Sequence, residues 1–223
     1  MLSRLPKWVE YGAFLLAMVA GFVNAVALLG FEHQAVSHVS GTATLVGSQI
    51  VNDTGELFRL VGILLSFLLG SAISGFMLTS SSLKLGRFYD VLLILEASLL
   101  LVSMYFLMQG NDIGPFFAST ACGLQNALAT TYSGAVVRTT HLTGIFTDLG
   151  IMLGGAFRGK KVDKRKTWLL VTIVIGFISG GSFGTLVFDV YRFKALAVPA
   201  TLCFVLAIVY RIYRRRLIQV EVN

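Results

Sequence analysis

The sequence predicts an all-α integral membrane protein: about six transmembrane helices plus two short half-helices, in two inverted repeats. Three observations lead there. The 223 residues are 56% hydrophobic and only 13% charged, where a soluble domain carries roughly 25% charged residues. Several apolar runs exceed the roughly 18 residues that mark a membrane-crossing helix. One stretch also occurs twice. Gly21, Asn24, Ala25, His38-Val39-Ser40-Gly41, Thr44 and Gly47 return as Gly123, Asn126, Ala127, His141-Leu142-Thr143-Gly144, Thr147 and Gly150, at an offset of 102 residues and then 103. A repeat of this kind in a membrane chain is the signature of a duplicated transporter or channel fold.

The elements follow in order. A first span runs from about Trp8 to Leu29, with Glu10 near one end where a carboxylate reaches water. Its charged start resembles a signal peptide, but the same Gly-x-x-Asn-Ala pattern recurs mid-chain, so the segment is read as mature structure. A polar connection from Gly30 to Ser40 holds Glu32, His33 and His38. The next helix, from about Gly41 to Asn52, reaches roughly 18 Å, too short for a hydrocarbon core of about 30 Å. It is read as a half-helix that enters the membrane and returns. The acidic turn around Asp53 and Glu56 leads to a second span, about Leu57 to Leu78, in which Gly62, Ser66, Gly70 and Ser74 fall every fourth residue. Such a small-residue stripe lets another helix approach closely. Lys84 and Arg87 precede a third span, about Asp90 to Met108, with Glu96 inside it.

The second half repeats the plan. A span from about Pro115 to Val137 is followed by a break at Arg138 to Leu142 and a short helix from Thr143 to about Gly155 carrying Asp148. The densest basic segment follows, from Arg158 to Lys166. A span from about Trp168 to Phe188 repeats the stripe with Gly176, Gly180 and Gly184, and a last span from about Ala195 to Tyr210 ends in Arg211, Arg214, Arg215 and Arg216. All of this makes one membrane domain over residues 1–223, with repeats of about 8–108 and 112–213.

If the short helices do not cross, Lys84, Arg87, Arg138 and the Arg158–Lys166 loop share the cytoplasmic side with both termini, as the positive-inside rule asks. Full crossing by the short helices would move Lys84, Arg87 and Arg138 outside. The six-crossing arrangement is therefore preferred, and it inverts the second half relative to the first. The net charge of +7 follows the same rule, so no nucleic-acid partner is implied. Cys122 and Cys203 sit in apolar runs and are expected to behave as small hydrophobes, without disulfide or zinc.

The candidate chemistry lies in the repeated stretch. Ser40 and Thr143 suit N-cap roles, and Gly41 and Gly144 let backbone approach closely. Facing helix starts offer free N–H groups to an anionic or polar solute. Taken singly, each Ser or Thr reads as a cap, but capping does not explain the duplicated histidine. His38 and His141 can change charge near neutral pH; a structural pair is the equal alternative. Asn24 and Asn126 need partners at their depth and are expected to tie each first span to its break, with solute contact the lesser reading. Glu96 and Asp148 are ionisable groups in or beside spans, which usually face a cavity or a partner. Glu96 is expected to carry a proton or to pair with Arg138 or a histidine. Asp148 has a cheaper alternative at the cytoplasmic surface. No metal set and no enzyme motif is legible, and no cofactor is expected.

At Gly21-x-x-Asn24-Ala25 … Ser40-Gly41 and Gly123-x-Gln125-Asn126-Ala127 … His141-Leu142-Thr143-Gly144, the chain resembles the YoaK-like family of bacterial membrane proteins, a domain of unknown function. The resemblance covers nearly the whole chain and includes Glu96. It departs in the first half, where Asn24 replaces a common Asp and Val39-Ser40-Gly41-Thr42 replaces Met-Thr-Gly-Asn. The resemblance implies a multi-pass protein of the bacterial inner membrane and supplies no function.

The expected function is a transporter or channel for a small polar or anionic solute, with proton coupling through His38, His141, Glu96 or Asp148. The alternative is a membrane sensor or scaffold whose basic loop docks a cytoplasmic partner. A homodimer through the small-residue stripes is a further expectation.

Overall fold

The computed structural model describes residues 8–31, 36–52, 54–78, 88–133 and 137–222. Glu32, His33, Asp53, Lys84 and Arg87, named above, lie outside the described residues. Among the described residues eight α-helices follow one another: α1 (Trp8–Gly30), α2 (Val39–Asn52), α3 (Thr54–Met77), α4 (Tyr89–Met108), α5 (Gly114–Tyr132), α6 (Leu142–Phe157), α7 (Lys164–Tyr191) and α8 (Ala197–Val222). A 3-10 turn, Arg192–Leu196, joins α7 to α8. No strand occurs among the described residues.

Among the described residues, four stretches are long and apolar enough to cross a membrane: Glu10–Gly30, Gly55–Met77, Tyr89–Met108 and Lys164–Arg215, the last holding α7 and most of α8 within its 52 residues. The chain is therefore a membrane-embedded protein. α5 falls short of that standard because it carries Ser119, Thr120, Gln125 and Asn126. The first three of these are buried, since α5 lies between α3 and α4, its principal neighbours. α2, of 14 residues, and α6, of 16, reach about 21 and 24 Å at 1.5 Å per residue.

Glycine determines the helix pairing. A Cβ at Gly21 would overlap the Phe177 carbonyl, and one at Gly180 would overlap that of Met18, so α1 and α7 touch backbone to backbone. The same pairing recurs between α3 and α5, where a Cβ at Gly123 would meet the Phe67 carbonyl and one at Gly70 that of Thr120. The two sets correspond: Gly21 and Met18 stand 102 residues before Gly123 and Thr120, and Phe67 and Gly70 stand 110 before Phe177 and Gly180. Both small-residue stripes are thus covered within the chain, and a homodimer would need another face.

Two apolar clusters fill the interior. One contains Phe22, Val26, Ala97, Leu100, Cys122 and Cys203. The other contains Ala17, Leu92, Leu124, Leu169 and Ile173. α4 belongs to both, and its buried register Leu93, Glu96, Leu100 recurs 107 residues later in α8 as Ala200, Cys203, Ala207.

Several boundaries differ from expectation. α5 ends at Tyr132 rather than near Val137, because the Ser133 hydroxyl takes over its last turn, donating to the Ala129 carbonyl at 2.8 Å and accepting from the Val137 amide at 2.7 Å. α7 starts four residues early, at Lys164: Asp163 caps it by accepting from the amides of Arg165 and Lys166. α8 continues through its arginines to Val222.

Candidate functional site

Glu96 stands where the two apolar clusters meet, one turn below Leu100 and one above Leu92, and is 2% exposed. Its Oε1 accepts a 2.8 Å hydrogen bond from Gln125 Nε2 on α5. The Gln125 carbonyl oxygen accepts in turn from the Thr139 hydroxyl at 3.2 Å. Gln125 and Thr139 are buried as completely as Glu96. The hydroxyl of Thr139 and the carboxyl of Glu96 together fix which way the Gln125 amide points. Thr139 lies in the second break, two residues before His141, so a line of polar groups runs from the apolar interior to the start of α6. The Cys203 thiol of α8 approaches the same carboxyl group. Glu96 Oε2 has no hydrogen-bond partner among the described residues. A carboxyl oxygen buried in this way is open to a proton or to a donor group on a bound molecule.

The first break is tied down differently. The Ser37 hydroxyl donates to Asn24 Oδ1 at 2.8 Å. From α5, the Ser119 hydroxyl reaches the carbonyls of Val36 at 3.1 Å and Ile63 at 2.8 Å. In the second half Gln125, not Asn126, makes the link to the break. Asn126 Oδ1 is buried without a partner among the described residues.

The duplicated His-x-[Ser/Thr]-Gly element has a local cause. A Cβ at Gly41 would fall 2.5 Å from His38 Nδ1, and one at Gly144 would overlap the His141 ring. Each histidine folds its imidazole over the first turn of its short helix, in the space the glycine leaves. Ser40 and Thr143 are not N-caps. Both lie inside their helices, and His141 holds the α6 cap position without a side-chain cap bond. Their carbonyls accept instead from Thr44 at 3.0 Å and Thr147 at 2.9 Å. Ser40 Oγ also lies 3.4 Å from His38 Nε2. Both starts are exposed. α2 packs on α3 and α6 on α7, and the two short helices share no packed interface.

The remaining residues fall elsewhere. Glu96 makes no ion pair or hydrogen bond with His38, His141 or Arg138 among the described residues; Gln125 takes the place expected of them. Asp148 pairs with Lys166 at 2.9 Å and is 46% exposed, a surface ion pair between α6 and the start of α7. Sequence reasoning missed Thr139 and the Asp90–Arg211 pair at 2.7 Å, which joins the start of α4 to α8. Gln125 stands in the repeated stretch without an expected role, although an amide at that depth in an apolar span is a signal the sequence carries.

The family described as "Protein of unknown function (DUF1275)" matches residues 12–209. The chain belongs to the DUF1275 family. The match takes in both short helices and every member of the Glu96–Gln125–Thr139 line. No curated protein and no solved structure matches the chain.

Proposed function

We propose that this DUF1275 protein is a proton-coupled transporter of a small polar or anionic solute, with Glu96 as the proton carrier. The observation that carries the reading is the Glu96 carboxyl group: buried in a membrane span beside the Cys203 thiol, held by Gln125 on one oxygen, with no hydrogen-bond partner on the other among the described residues. Ionisable groups at such depth are expensive and mark solute or proton pathways. The polar line to Thr139 couples that carboxyl to the break before α6.

The proposed frame is six crossings, with α2 and α6 not crossing, in two oppositely directed halves. Two groupings support it. One cleft gathers the starts of α1 and α4 with the ends of α5 and α8. A second hollow gathers the ends of α1, α4 and α7. The start of α1 is therefore level with the end of α5, its repeat counterpart. With both termini on the cytoplasmic face of a bacterial inner membrane, the basic residues follow the charge rule except Arg59, near the start of α3, and the pair Arg192 and Lys194. That pair lies just past the C-terminus of α7, where positive charge suits the helix dipole, and Arg192 sits 5.6 Å over the Phe188 ring.

A scaffold role for the basic loop has less support. Lys164, Arg165 and Lys166 are the first turn of α7, and two of them pair internally, Arg165 with Glu10 and Lys166 with Asp148.

The test is reconstitution into proteoliposomes loaded with a pH-sensitive dye, screened against small anions, amino acids and metabolites. A solute that moves protons with the wild type and not with Glu96→Gln supports the reading. Solute-driven flux that keeps its pH dependence in a well-folded Glu96→Gln protein removes Glu96 from the mechanism.

A further inference from the structure

The two breaks are one element with unequal anchorage. In the first, Ser37 donates to Asn24 at 2.8 Å, and Ser119 of α5 donates to the Val36 carbonyl at 3.1 Å. The second half keeps both groups of the Ser37–Asn24 bond: Thr140 stands 103 residues after Ser37, and Asn126 stands 102 after Asn24. Yet that bond is not made. Asn126 Oδ1 is buried without a partner, and Thr140 makes no side-chain hydrogen bond, among the described residues. The break is held one residue earlier, by Thr139 on Gln125 at 3.2 Å, long for an O–H···O bond, which prefers about 2.7–2.8 Å. Thr139 and Gln125 replace Val36 and Val23 of the first half, whose side chains cannot form that bond. The second anchor is gone as well, because Ala17, 102 residues before Ser119, has no hydroxyl.

A buried amide oxygen without a donor is costly, and the repeat supplies the donor that fits it. We propose that the second break has two settings. In the one seen here, Thr139 holds Gln125. In the other, Thr140 donates to Asn126 Oδ1, as Ser37 does to Asn24, and Thr139 lets go of Gln125. The exchange moves the break by one residue, about 3.5 Å of extended chain, and carries the start of α6 with it. That helix is lightly held: of its 16 residues Ile145 and Gly155 are the buried ones, and a Cβ at Gly150 or Gly154 would meet nothing within 4 Å. Once Thr139 has left, the Gln125 carbonyl oxygen is free to accept from a solute beside Glu96 Oε2. The first break stays where it is, pinned by Ser119. The proposal deepens the transport reading above and rests on it for the purpose of the exchange; the two settings themselves are observable without flux.

The experiment uses full-length protein in lipid nanodiscs, with Phe146→Cys on the exposed side of α6 carrying a trifluoromethyl tag; Cys122 and Cys203 are buried and stay unlabelled. Fluorine NMR should show two resonances, or one at their weighted mean. Thr139→Val removes the bond seen here and should move the signal toward the second setting. Thr140→Val removes the bond proposed and should move it toward the first, and Asn126→Leu should act as Thr140→Val does. Thr140 has no hydrogen bond to lose, so its variant carries the test if Thr139→Val does not fold. Movement of the signal in the same direction in both threonine variants, or none in folded protein, would overturn the proposal. Proteoliposome flux then separates the two readings. In a protein that transports, Thr140→Val should lose solute-driven flux, whereas two settings in a protein without flux support the break as described and remove the transporter.

Discussion

His38 and His141 each use a glycine three residues ahead as the floor for an imidazole ring. Gly41→Ala and Gly144→Ala should therefore displace the rings from their helix starts without disturbing the core, since both histidines are exposed. The check is a change in the histidine NMR shifts, with unfolding midpoints lowered by no more than about 1 kcal/mol equivalent. The sequence displayed this pairing as a duplicated motif but hid its reason. A His-x-[Ser/Thr]-Gly string reads as a cap followed by a flexible glycine, and only the folded backbone reveals that the ring occupies the missing Cβ. Glu96 was legible, because a carboxylate inside an apolar span draws notice in one dimension. Its partner was not: Gln125 lies 29 residues away, and spacing alone could not choose it over Arg138 or a histidine. Gln125→Leu should leave Glu96 Oε1 without its donor, a loss of about 1–3 kcal/mol for a buried acceptor, read as a lower unfolding midpoint in detergent. Glu96→Gln paired with Gln125→Leu should recover part of that loss.

At the scale of elements, glycine divides into two populations with opposite expected effects. Gly70→Ala and Gly180→Ala drive a Cβ into a neighbouring backbone carbonyl and should cost about 1–3 kcal/mol or more, as overpacking does. Gly47→Ala and Gly150→Ala, an equivalent pair with open space around them, should be neutral or stabilising by about 0.5–1 kcal/mol. Chemical unfolding of the four variants side by side checks both signs. The helices themselves were largely readable, since apolar length and a four-residue stripe are local properties. Their ends were less so. The start of α7 lies inside a basic run that reads as loop, and Asp163 caps it there; Asp163→Ala should cost about 1 kcal/mol, checked by the same unfolding curves. Partner choice was unreadable as well, because the stripes announce close packing without naming the helix that fills them.

For the whole molecule, the two halves repeat the Gly21/Gly123 and Gly70/Gly180 contacts and differ in how each break is tied to its first span. Reporter fusions after Met108, after Phe157 and at the C-terminus test the six-crossing frame. The first should report the outer side and the other two the cytoplasmic side; an outer signal after Phe157 would show that α6 crosses. The α1–α7 contact has a consequence for biosynthesis. α3 finds its glycine partner α5 as soon as the second half begins to emerge, whereas α1 must wait until α7 has been made. At ribosomal speeds that interval is roughly 8–30 s, during which α1 lacks the helix that covers its Gly21 face. α1 is thus made before α3 and docked after it, and a nascent chain interrupted before α7 is complete would hold a finished α3–α5 pair beside an α1 without its glycine partner.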